Sequence, residues 1–179
     1  MTTWVLILVP ALVLPIVLLF SFAGCTLVAP LDEHTAAQPR FTPSGAPRCT
    51  IGAKDVTCKG TIMGLGSESV EVRLDVTGFW RYRCNQQARP ELPFSDSVRQ
   101  TYSANTFTNG QLEFTSTYTF AEDLTQANCP AATTPSFRDM WFTSITLTIS
   151  QNGRLLFTCR TIPGSPLQAG QTVLLECGP

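Results

Sequence analysis

Residues 69–84 alternate apolar and polar side chains over almost their whole length. Val70, Val72, Leu74, Val76, Gly78, Trp80, Tyr82 and Cys84 fall on one parity, and Glu71, Arg73, Asp75, Thr77, Arg81 and Arg83 on the other. A helix would scatter this pattern around its axis. A strand puts successive side chains on opposite faces, so the run demands a long strand with one face in a core and one in water. Residues 111–120 repeat the pattern, with Leu112, Phe114, Tyr118 and Phe120 opposite Glu113, Thr115, Thr117 and Thr119. Residues 139–151 do so again, with Trp141, Ile145, Leu147 and Ile149 inward and Ser144, Thr146, Thr148 and Ser150 outward. On that phase Trp80 and Trp141 are both core residues.

Shorter strands fit at 56–63, 98–107, 154–162 and 172–177, and two joints, Asn109-Gly110 and Asn152-Gly153, carry a strong two-residue hairpin signal. Gly64-Leu65-Gly66 makes a third turn. Residues 85–97, with Pro90 and Pro93, read as a long loop. No segment after residue 25 has helical periodicity. The expectation is an all-β domain over residues 48–179, an antiparallel immunoglobulin-like β-sandwich of about seven or eight strands.

The N-terminus is of another kind. The first charged side chain is Asp32, and residues 4–24 are almost wholly apolar. As a helix, that stretch spans ~30 Å, the thickness of a bilayer core. It ends Phe22-Ala23-Gly24-Cys25, and small residues before a Cys resemble a bacterial lipobox, in which Cys25 is the lipidation site. The alternatives are an uncleaved single-pass anchor or an ordinary cleaved signal, so residues 1–25 are assigned as signal peptide or membrane anchor. Asp32 and Glu33 follow, with no cation to hold the C-terminal flank inside, so the remainder is placed outside the cytoplasm. Residues 26–47 contain Pro30, Pro39, Pro43 and Pro47 and lack apolar periodicity, which describes an extended tether.

The chain has 7 Cys. With Cys25 at the membrane junction, Cys49, Cys58, Cys84, Cys129, Cys159 and Cys177 remain, an even set in an exported domain, which reads as three disulfides. Cys49 and Cys58 flank a tight hairpin that places them opposite each other. Cys159 and Cys177 are related by a turn near Gln168, both on the inward phase of their strands. Cys84 then pairs with Cys129. A metal site is not expected: there is no C-x-x-C, and the only imidazole, His34, lies in the tether.

Taken together, Gly64-Leu65-Gly66, the long alternating strand, Cys84-Asn85, Asn109-Gly110, Cys129-Pro130, Trp141 and Cys159 resemble an uncharacterised group of exported bacterial β-sandwich proteins. That resemblance covers about residues 56–160. It implies the fold and export, and no activity.

Chemistry is sparse. A net charge of −1 and the lack of a basic run exclude a nucleic-acid footprint. There is no imidazole beside a nucleophile, no Walker loop, no EF-hand and no cofactor motif. Glu91, Asp96, Glu122, Asp123 and Asp139 are available to a carboxylate-based hydrolase, and loop acids are the plainer reading. Arg73, Phe79, Arg81 and Arg83 share the outward face of the long strand and form a candidate binding strip. The sequence therefore points to a non-catalytic binding or structural module of the cell envelope. Its membrane contact is the N-terminus, its partner an envelope polymer or protein. The alternatives are a small hydrolase, or an inhibitor or immunity-type lipoprotein acting through loop 85–97.

Overall fold

The computed structural model describes residues 38–162, 164 and 166–179. The expected membrane helix, the lipidation site Cys25, His34 and most of the tether lie outside the described residues. No helix of the described residues is long and apolar enough to cross a membrane.

Among the described residues, ten strands form two antiparallel sheets. They are β1 (Arg40–Phe41), β2 (Arg48–Ile51), β3 (Asp55–Met63), β4 (Val70–Cys84), β5 (Gln87–Tyr102), β6 (Gln111–Thr119), β7 (Pro135–Gln151), β8 (Arg154–Arg160), β9 (Thr172–Leu174) and β10 (Glu176–Gly178). In the first sheet β6 runs along the whole of β3, and β1 and β2 share β3's other side, with β9 beyond β2. The second sheet has the order β10-β8-β7-β4-β5. Pairing begins at Arg40–Phe41, inside the stretch read as tether, and the Phe41 ring packs 4.6 Å from that of Phe157.

One core lies between the sheets. Val70, Val72, Leu74, Val76, Trp80, Tyr82 and Cys84 of β4 meet Leu112, Phe114, Tyr118 and Phe120 from the β6 side, as the alternation predicts. Both Asn-Gly joints are turns with positive φ at each residue (53° and 69°, 49° and 74°), the geometry that favours this pair.

Three disulfides staple the sandwich: Cys49–Cys58, Cys84–Cys129 and Cys159–Cys177. The pairs are those expected, but the last is reached by another route. After β8 the chain crosses to the first sheet as β9, then returns at Leu175 to form β10 beside β8. Cys177 lies opposite Cys159 and on the same inward face, but Cys159 is buried while Cys177 is exposed, because β10 is an edge strand and shields it less.

Residues 85–97 are not a loop. Asn85 and Gln86 make the turn, and β5 pairs with β4 from Gln87 onward. Pro90 and Pro93 are tolerated because β5 is an edge strand, where a missing N–H breaks no ladder. Leu92, Phe94, Val98 and Tyr102 supply its inward face.

Candidate functional site

The outer face of the second sheet carries the residues singled out in the sequence. Arg73, Phe79, Arg81 and Arg83 stand in line on β4, between β5 and β7. The guanidiniums do not form a row of unpaired cations. Arg73 binds Asp75 two residues along the same strand, Nη2 to Oδ1 at 2.6 Å. Arg81 makes a forked pair with Asp139 directly across on β7, Nε donating to Oδ1 at 2.6 Å and Nη2 to Oδ2 at 2.8 Å. These contacts hold the Asp139 carboxyl below its ordinary value, the hydrogen bond from Arg81 being the largest cause. Arg83 stands beside Ser136 and Ala88, with no acidic partner among the described residues.

Trp141 belongs to this face. The alternation in sequence puts it in the core, and a β-bulge overturns that. The β4–β7 register shifts between Thr77 and Gly78, so that Phe142 points inward at 1% exposure and Trp141 outward. Gly78 makes the bulge sterically feasible: a Cβ there would lie 2.2 Å from the carbonyl oxygen of Trp141. The signal was in the sequence. Met140 and Phe142 are apolar on one parity and Ile145, Leu147 and Ile149 on the other, and a change of parity within a strand marks an extra residue. Trp80 does pack inward, 2% exposed.

Turned outward, the Trp141 indole stacks on Phe79 across the strands, centroids 5.9 Å apart, and the Arg81 guanidinium lies 5.1 Å from its centre. Beyond β7, Leu167 forms a two-way backbone bridge with Phe142 and brings Pro166 and Gln168 alongside. Trp141, Arg81, Asp139, Met140, Pro166 and Gln168 line a groove of 380 Å³. It offers an aromatic wall, a forked ion pair and a side-chain amide within one opening.

The other acids are placed differently. Asp139, Glu91 and Asp96 are strand residues rather than loop residues. Asp96 and Asp123 line one cleft of 310 Å³ over Trp80, Phe94, Tyr118 and Phe120. Asp123 is spent on local structure: its carboxylate accepts from the Thr125 hydroxyl and backbone N–H and from Gln126, which lowers its pKa. Tyr118 is pushed up to about 12 by burial and by the charge of Asp96. Among the described residues no group of three or more His, Cys, Asp or Glu is gathered to hold a metal. Compared with protein-family models, curated proteins and solved structures, the chain finds no match.

Proposed function

We infer that the protein is a membrane-tethered, extracytoplasmic β-sandwich of broadly immunoglobulin-like kind, acting as a non-catalytic binding module of the cell envelope. Its N-terminal segment is the anchor, and the outer face of the second sheet is the binding face. The observation that carries this reading is the bulge that turns Trp141 out of the core and into a groove with Arg81, Asp139 and Gln168. A large aromatic ring, half-buried between Phe79 and Arg81 and set beside a few convergent polar groups, suits a polyhydroxylated ligand. The C–H face of a sugar ring lies on the indole, while its hydroxyls donate to Asp139 and accept from Arg81 and Gln168. Because Arg73 and Arg81 are neutralised in place, the face suits a glycan better than a polyanion.

A second reading, hydrolysis in the Asp96–Asp123 cleft, is favoured by the shared opening. A hydrolase needs one carboxyl held protonated near neutral pH, and Asp123 of this cleft is displaced the other way by its hydrogen bonds from Thr125 and Gln126. The inhibitor reading has no protruding loop to use, since residues 87–97 lie within β5.

The test is a titration of the full-length protein in detergent with solubilised envelope polysaccharide, followed by tryptophan fluorescence. Saturable binding is expected, lost in Trp141→Ala and reduced in Asp139→Asn. Binding that survives Trp141→Ala places the ligand elsewhere. Release of reducing ends, abolished by Asp96→Asn, supports the hydrolase instead.

A further inference from the structure

The first sheet has an outer face of its own, with a feature independent of the Trp141 groove. Arg48 on β2 and Lys59 on β3 are register partners, so two cations stand directly opposite each other and both are exposed. Like charges in this position repel and destabilise the pair. Elsewhere on the domain, Lys54, Arg73, Arg81 and Arg138 each meet a carboxylate; among the described residues Arg48 and Lys59, like Arg83, meet none.

The pair is also held rigidly. The next register position inward is the Cys49–Cys58 disulfide, which fixes β2 against β3 with Cα atoms 4.0 Å apart. The neighbouring position, where Arg48 and Lys59 sit, is then the wider hydrogen-bonded kind, with Cα atoms ~5.5 Å apart. Both side chains open into a depression of 490 Å³. One wall is the turn at Ser44–Gly45–Ala46, tied to β3 by the Thr61 N–H donating to the Gly45 carbonyl at 2.9 Å. Thr57 and Thr61 line it with Lys59, the Thr57 hydroxyl sharing a 3.0 Å hydrogen bond with that of Thr117 in which either can donate, and Glu113, the register partner of Thr61, lines it too.

We propose that this depression is a binding site for a tetrahedral oxyanion, a phosphate or sulfate group. The guanidinium takes two oxygens, the ammonium a third, and the threonine hydroxyls donate to what remains. An anion removes the repulsion between the cations, so its binding and the stability of the β2–β3 pair are linked. Glu113 opposes it, which keeps affinity weak and makes its removal informative.

The experiment titrates sodium phosphate into the full-length protein in detergent at constant ionic strength, followed by amide chemical shifts. Saturable shifts are expected at Arg48, Lys59, Thr57 and Thr61, with sodium acetate as the planar control binding more weakly. Arg48→Gln and Lys59→Gln should each weaken phosphate binding about tenfold, and Glu113→Gln should tighten it. Without phosphate, either cation variant should melt no lower than the parent, since each removes the repulsion, and this separates lost binding from lost folding. Linear, unsaturable shifts, or an affinity unchanged in both cation variants, would overturn the proposal. Trp141→Ala leaves this site intact, so the two faces fail or succeed separately.

Discussion

Gly78→Ala is the sharpest test of the link between packing and the binding face. The added Cβ would lie 2.2 Å from the Trp141 carbonyl oxygen and 2.7 and 2.8 Å from two ring carbons of Phe94. The ring cannot swing clear, because it is packed on Tyr118, Phe120 and Phe142. The carbonyl belongs to the bulge and moves only if β7 moves. Overpacking of this kind costs about 3 kcal/mol, the upper end of the usual range, because backbone rather than side chain must yield. For a domain of this size that lowers the melting midpoint by roughly 6–12 °C. Thermal unfolding followed by circular dichroism measures it, with Gly66→Ala as the control, since a Cβ there comes no nearer than 3.9 Å to Gln151. If β7 responds by losing the bulge, Trp141 turns toward the core and its fluorescence and ligand response change with stability. A Gly78→Ala midpoint indistinguishable from that of the control would refute both the steric argument and the role given to the bulge.

Ser116→Ala should raise stability by about 1 kcal/mol in denaturant unfolding, because the Ser116 hydroxyl is buried without a hydrogen-bond partner. Of the three disulfides, Cys84–Cys129 closes the longest loop, with a separation of 45 residues against 18 and 9, so its removal should cost most, ~4 kcal/mol in the chain-entropy model. Tyr118 is raised from 10.0 to about 12, so its contribution is complete below pH 10 and is lost as pH rises from there toward 12; Tyr118→Phe should flatten that alkaline decline, measured by unfolding across the range. Asp139 is lowered from 3.8, so its contribution is complete above that value and is lost as pH falls through the lowered one. Being a partly exposed, solvent-screened pair it is worth at most about 1 kcal/mol, and Asp139→Asn should remove that acid-side slope.

How far the sequence discloses the molecule depends on whether each strand keeps its phase. β4 and β6 do, and every inward residue assigned to them is buried or is the glycine that the bulge requires. β7 changes phase at its bulge, and a single alternating template carried through it puts Trp141 on the wrong face. β5 was obscured by its prolines and by Asp96 and Gln100 at inward positions, because an edge strand shields less and tolerates more. The candidate strip was legible as a face but not as a site. That Arg81 belongs with Asp139 depends on cross-strand register between segments far apart in sequence, and that register rests on bulges, which a single alternating pattern does not carry. The cystines were easier, since two of the three join residues that the β-ladder sets directly opposite each other.

The edges of the sandwich explain why its faces should do the recognising. A sheet edge with unpaired N–H and C=O groups invites another strand. On one side the Tyr102 hydroxyl of β5 donates to the Thr115 carbonyl at 2.7 Å and accepts from the Thr115 N–H at 3.0 Å, so the middle of the β6 edge is already satisfied. The β5 edge itself carries Pro90 and Pro93, which have no N–H to offer. On the other side the chain crosses between sheets at Leu175, buried and bonded through its N–H to the Pro47 carbonyl, so β9 and β10 are each three residues long. The Cys159–Cys177 bond then holds β10 onto β8. Blunted edges of this kind oppose strand addition as a mode of binding. What the fold leaves open is one broad face with an aromatic groove and another with an uncompensated pair of cations.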